Sequence, residues 1–155
     1  MTQAPALIRW SGPIANRLLG IGMPAGPNRL LTVRGRKTGE PRTAAVAVVD
    51  VDGKWWVIGT FGETHWVRNL RAAGEATLRV DGRPVPVAAR ELDQSEALSF
   101  YRETLPVYLG RMPRLARPVL RAFIGQVAPE VFSDPARAAA ARPVFELLAQ
   151  NGRDA

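Results

Sequence analysis

The stretch "LLTVRGRKTGEPRTAAVAVVDVDGKWWVIGT", residues 30–60, carries the reading of the fold. Leu30 to Val33 is a short strand, entered through the Pro/Gly loop "MPAGPN". Thr43 to Val51, "TAAVAVVDV", has small and β-branched residues on both faces. Such a run is a strand buried on both sides, or one whose backbone another group approaches closely. Asp52-Gly53 is a strong two-residue hairpin signal, and Lys54 to Thr60 is the returning strand. The connection between the first two strands, Arg34 to Arg42, is unusual. Arg36, Lys37 and Arg42 supply charge, Thr38 a hydroxyl, and Gly35 and Gly39 the backbone freedom for a tight turn ahead of Pro41. Charge-assisted hydrogen bonds are worth about 1.5–3 kcal/mol each, so three such groups suffice to hold a phosphate. The spacing is not that of a Walker loop. On composition, a solvated polar turn and an anion cradle are equal readings.

Further along, Gly59 to Glu63 is a loop, and Thr64 stands as N-cap of a helix, "HWVRNLRAAG", ended by Gly74. On the helical wheel Trp66, Leu70 and Ala73 share a face with Asn69, while Arg68 and Arg71 point elsewhere. "ATLRV", Asp81-Gly82 and "RPVPVAAREL" form a second hairpin, whose second half Pro84 and Pro86 mark as an edge strand. Asp93 to Glu96 resembles a capping box and opens a helix carrying Leu98, Phe100, Tyr101 and Leu105. Asp134-Pro135 starts an Ala-rich helix, and residues 143–147 read as a last short strand. The expected class is α+β, with antiparallel strands closing into a small barrel. The organisation is one domain: an N-terminal amphipathic helix and loop over 1–28, a barrel core over 29–91, and C-terminal helices with the short strand over 92–155.

The chain has 155 residues, enough for a single core, and a net charge of +7. Cysteine is absent, which rules out disulfides and thiolate chemistry, and His65 is the one histidine, so no metal site is expected. No apolar run reaches the length of a membrane span, and the N-terminus lacks a secretory pattern; a cytoplasmic protein is expected. The basic balance points to an anionic ligand, a membrane or a nucleic acid. Aromatics are not interleaved with the cations as stacking platforms, so nucleic acid is set aside. Arg111, Arg114, Arg117 and Arg121 recur at three- or four-residue spacing, opposite Leu115, Val119, Ala122 and Phe123. That segment is either a helix covering the barrel or a basic amphipathic face for peripheral association with anionic lipid.

Two segments together resemble a family. "LLTVRGRKTGEPR", followed after a hairpin by "IGTFGETHWVRNLRAAGEATLRV", is similar to the deazaflavin-dependent nitroreductase and quinone reductase family over residues 30–90. The resemblance implies the split β-barrel of flavin-reductase-like proteins and the coenzyme F-420, an 8-hydroxy-5-deazaflavin whose tail carries a phosphodiester and glutamates. It implies that Gly35, Arg36, Lys37, Thr38, Gly39, Pro41 and Arg42 bind the tail, and that Thr60, Phe61, Trp66 and Asn69 sit near the ring and polyol. Tyr108 and Trp10 are the candidate substrate contacts. The activity implied is hydride transfer to a small electrophile, a quinone, nitro group or enone, with no dedicated catalytic side chain. Alternatives are a flavin mononucleotide enzyme on the same barrel and a non-enzymatic membrane-surface or anion-binding protein. A monomer and a homodimer are both compatible with the sequence.

Overall fold

The computed structural model describes residues 28–150. Six antiparallel strands close a barrel: β1 (Asn28–Arg34), β2 (Pro41–Val51), β3 (Lys54–Ile58), β4 (Glu75–Val80), β5 (Arg83–Glu91) and β6 (Val144–Ala149). The order around the barrel is β1-β2-β3-β6-β5-β4. The last strand of the chain therefore slots between β3 and β5, pairing Val57 with Phe145 and Ala89 with Leu147. Helix α1 (His65–Ala73) crosses from β3 to β4 and turns Val67 and Leu70 into the barrel interior with Leu31, Val48, Leu78 and Phe145.

Strand periodicity explains why there are two cores. Neighbouring residues of a strand face opposite sides. Val48 points inward and Val49 outward; Phe145 points inward and Val144 outward. The outer cluster is roofed by α2 (Gln94–Ser99), a π-helical segment Phe100–Thr104, α3 (Leu105–Gly110), α4 (Ala116–Val127), α5 (Glu130–Ser133) and α6 (Pro135–Ala141). Pro106 has no N–H to return to the carbonyl four residues back, and beside it the ladder widens: the Leu105 N–H bonds to Phe100, five residues earlier.

The two Asp-Gly turns form as expected, with positive φ at Asp52, Gly53, Asp81 and Gly82. The capping box also forms: Asp93 accepts the Glu96 N–H at 2.8 Å and Glu96 accepts the Asp93 N–H at 3.1 Å. Three expectations need correction. β2 begins at Pro41 rather than Thr43, because Arg34 pairs with Pro41 and the hairpin zips up to the turn. Burial on both faces holds only around Val46 to Val49; Arg42, Thr43 and Ala45 are exposed. β5 is not an edge strand, since β4 and β6 both pair with it. Its prolines are tolerated because β6 pairs only from Val87 onward, leaving Pro84 and Pro86 on a half that no strand flanks on that side. Thr64 is the N-cap of α1 as expected, with extended dihedrals; its hydroxyl makes no capping bond and is buried without a partner among the described residues.

The junction of α6 and β6 is clamped to the loop after β3. The Gly59 N–H donates to Pro143 O at 2.7 Å, Tyr101 Oη donates to Arg142 O at 3.0 Å, and the Arg142 guanidinium donates to Thr60 O. Arg142 also pairs with Glu130 at 2.7 Å, with both side chains about 15% exposed. Burial pushes the Glu130 carboxyl up, but its hydrogen bonds and the Arg142 charge outweigh that and hold it below its ordinary 4.5.

Two outcomes follow. A Cβ at Gly59 would meet the Pro143 ring at 2.9 Å and Val67 at 3.1 Å, whereas one at Gly110 meets nothing within 4 Å. Gly59→Ala should cost about 1–3 kcal/mol in denaturant unfolding and Gly110→Ala should be close to neutral; equal effects would contradict the clamp. Because the folded value of Glu130 is depressed, its contribution is complete above pH 4.5 and fades as pH falls through the folded value. Glu130→Gln should therefore lower the melting point at pH 6 by the equivalent of roughly 2–3 kcal/mol, less than for a fully buried pair, and flatten the acid limb below pH 4.5.

Candidate functional site

The connection between β1 and β2 is a turn closed on itself. The Gly35 N–H donates to Glu40 O at 2.7 Å, the Gly39 N–H donates to Gly35 O at 2.9 Å, and Glu40 N–H donates to Thr38 Oγ1 at 3.2 Å. Gly39 takes φ 76°, which favours glycine. Gly35 is buried, and a Cβ there would meet Glu40 O at 3.2 Å and Thr38 Oγ1 at 3.3 Å. Its lack of a side chain serves the turn's own closure, and its amide is already engaged. The groups left to face outward are cationic. The Arg34 and Lys37 side chains are exposed and have no hydrogen-bond or ion-pair partner among the described residues. Arg42 meets Glu40 only at 3.8 Å, with side chains 63% and 71% exposed.

Arg36 is different. Its backbone N–H and its guanidinium both donate to Asn69 Oδ1, at 3.2 and 2.8 Å. Asn69 is the buried polar residue of the described chain, 6% exposed on α1. One carboxamide oxygen thus ties the cationic turn to the helix. The pairing of β1 to α1 places Trp66, half-buried against the inner core, on that same helix. Thr60 and Phe61 are half-buried in the loop that precedes it, held from behind by Arg142 and Pro143. His65 is exposed at the helix start. Arg71, on the far side, forks between Glu63 and Glu91 at 2.7–2.8 Å, and this bonding holds the Glu63 carboxyl below its ordinary range. It fixes the same loop to β5.

The structure thus brings Gly35 to Arg42 together with Asn69 through one contact, and sets Thr60, Phe61 and Trp66 on the adjoining loop and helix. It does not bring Tyr108 there. Tyr108 lies in the outer cluster, where Arg29 and Asp50 are its charged neighbours and burial pushes its phenol up. Those neighbours sit toward the ends of β1 and β2 remote from the turn. Trp10 lies outside the described residues.

Sequence reasoning missed a row of hydroxyls. Thr32 pairs across the barrel with Thr43 on one side and Thr77 on the other, and the Thr32 and Thr43 hydroxyls are 2.8 Å apart. With Leu30, Arg79 and Pro84 they line a concavity of about 190 Å³ on the outer face. The signal was alternation: Leu31 and Val33 point inward, so Thr32 must point out. What the sequence did not reveal was the β1–β4 closure that sets Thr77 beside it.

Comparison with known proteins places this geometry. Among solved structures, a "putative 5-nitroimidazole antibiotic resistance protein" from Bacteroides thetaiotaomicron superposes with a TM-score of 0.53 at 8% identity, covering 96% of this chain and 81% of that one. This likeness shows the barrel fold. An F420-H2 dependent reductase (FDR-A) aligns at 20% identity with a TM-score of 0.43, covering 78% of this chain and 93% of that one. No curated protein is similar enough to count as a match. The family model described as F420H(2)-dependent quinone reductase matches residues 10–117, which include both the cationic turn and the Asn69 helix. With a match over well more than half its length, the chain belongs to the F420H(2)-dependent quinone reductase family.

Proposed function

We propose that this protein reduces a small electrophile, a quinone before a nitro compound or an enone, using reduced F-420 held between the cationic turn and α1. The observation that carries this reading is the Arg36–Asn69 contact, which joins the two segments on which the resemblance rests, both inside the matched residues 10–117. When bound, the reduced deazaflavin supplies a hydride, a two-electron equivalent; the protein's part is to bind and orient.

The donor set fits a polyanionic tail. Lys37, Arg34 and Arg42 point outward from a rigid turn with little or no internal neutralisation. Arg gives a planar fork for phosphate or carboxylate, and Lys37 a compact charge. Thr38 already accepts from Glu40 and keeps its own O–H to donate. Arg36 is engaged with Asn69, so its role is to fix the turn on the helix, and Gly35, Gly39 and Pro41 shape the turn rather than contact the ligand. The Thr43–Thr32–Thr77 row, on the outer face of the barrel, offers donors and acceptors for a hydroxylated portion of the ligand. Thr60, Phe61 and Trp66 are the candidates for the ring, since their loop is locked by Gly59 and Arg142 and its apolar members exclude water from one side.

Binding is checked by titrating reduced coenzyme against tryptophan fluorescence, with flavin mononucleotide as the comparison ligand. Lys37→Ala and Arg42→Ala should each weaken coenzyme binding about tenfold, toward the low end for exposed charge-assisted bonds, with the melting point nearly unchanged. Unchanged affinity in both variants, or preference for flavin mononucleotide, would sink the assignment. Asn69→Ala leaves two Arg36 donors without their acceptor and should cost about 1–3 kcal/mol of stability together with coenzyme affinity. Asn69→Asp, which keeps the acceptor, should recover much of both; failure to do so would show that the contact does not position the turn.

A further inference from the structure

Among the described residues, five of the six exposed large apolar side chains lie between positions 107 and 132: Val107, Leu115, Val119, Phe123 and Phe132. Leu115 is 91% exposed and Val119 71%. Leu115, Val119 and Phe123 recur every four residues, so they form one outward stripe along α4. This is not a displaced core face, because α4 already packs Leu120 and Ile124 against the outer cluster. An apolar patch rimmed by charge marks an interaction surface.

Charge selects the partner. Residues 104–129 contain no Asp or Glu and four arginines. Arg117 turns inward and donates to Gly110 O at 2.7 Å, closing the end of α3. Arg111 bonds Asp52 at 2.8 Å and fixes this region to the β2–β3 turn. The other two are available. Arg114 is exposed with no bonded partner among the described residues, and Arg121 lies over the Phe132 ring at 5.4 Å. Arg121 stands on α4 and Arg114 in the turn just before it. A second copy of this face would bring no acid to meet these arginines, since the segment contains none. An anionic bilayer accepts both features, the stripe at the acyl boundary and the guanidinium groups among headgroup phosphates.

We propose that the α4 face, with Phe132, is a docking surface for an anionic lipid bilayer. The Arg111–Asp52 bond puts this face at the Asp52 end of β2, whereas the Gly35–Glu40 turn closes the other end of that eleven-residue strand. Docking therefore leaves the cationic turn in water. The inference does not depend on the coenzyme reading; it adds that the enzyme would meet membrane-dissolved acceptors.

The test is co-sedimentation of the full chain with phosphatidylcholine vesicles and with vesicles containing about one third phosphatidylglycerol. At roughly fivefold per arginine near an anionic surface, the second should bind at least tenfold more strongly, and the excess should vanish at about 0.5 M salt. Val119→Asp combined with Phe123→Asp should lose at least tenfold in binding while melting like the parent, since both sites are exposed. Lys37→Ala with Arg42→Ala should bind like the parent. The proposal is overturned by a parent protein that does not bind, by a double aspartate variant that binds undiminished, or by loss confined to the Lys37 and Arg42 variant. It is equally overturned if the parent is a dimer that the aspartate pair dissociates, since the face would then belong to a second copy.

Discussion

Everything in this fold is constrained by the need of β6 to enter between β3 and β5. Without it, β3 and β5 each present an unpaired edge, and the barrel is an open sheet. The strand that closes it comes last in the chain, so the residues between β5 and β6 must leave the barrel and return. They do so as a run of short helices over one outer face, anchored by Phe100, Tyr101 and Leu105 on Val49 and Val144. The T-shaped contact of Phe100 and Tyr101 at 5.2 Å and the tilted one of Trp56 and Phe100 at 5.8 Å fix that return, and Tyr101 then bonds the backbone just before β6. The strand that closes the sheet is thus delivered by the side chains that make the outer core.

This delivery also shapes the candidate site. Pro143, immediately before β6, accepts from Gly59, immediately after β3, and Arg142 reaches Thr60. The loop before α1 cannot move without disturbing barrel closure. On its other side, Asn69 passes the same rigidity to the cationic turn through Arg36. The buried amide oxygen gathers a backbone donor and a side-chain donor of one exposed arginine, so removing it unties the turn from the helix. Fixed donors lose less entropy on binding an anion than floppy ones, so a turn braced from behind can afford cations that are unpaired in front.

Much of this was legible in the residues. Asp-Gly dipeptides, the Asp93–Glu96 box and the β-branched runs dictate local geometry whatever the surroundings, and all formed. Pro84 and Pro86 misled because proline reports on one side of one residue, and the register of β6, which leaves that side open, is a property of distant chain. Thr64 stands at the N-cap as its residue type suggests, although its hydroxyl makes no capping bond. For the site, the cations could be listed but not ranked. Arg36 and Lys37 are neighbours of equal charge, and only the arrival of Asn69, 33 residues later, makes one a brace and leaves the other free. The hydroxyl row was hidden for the same reason: Thr32 and Thr43 are neighbours by the hairpin, but Thr77 joins them only through closure.

The positive balance also acquires a structural meaning. Many of the acids are engaged in scaffold contacts: Glu63 and Glu91 on Arg71, Glu96 and Glu146 on Arg90, Glu130 on Arg142, and Asp93 and Asp134 on helix starts. Where the chain supplies no acid, charge is left over. The β1–β2 turn has only Glu40, an exposed partner 3.8 Å from Arg42, to set against Arg34, Lys37 and Arg42, and the stretch 104–129 has none. Exposed cations close together repel and weaken the folded state unless something external compensates. The turn tolerates this at the end of a hairpin pinned by Asn69, and α4 tolerates it beside an apolar stripe that is itself unsatisfied in water. Two regions at opposite ends of β2 therefore carry uncompensated features of different kinds, pure charge at one end and charge bordering apolar surface at the other. A compact soluble anion satisfies the first and cannot cover the second, and for that reason the two are read as sites for different partners.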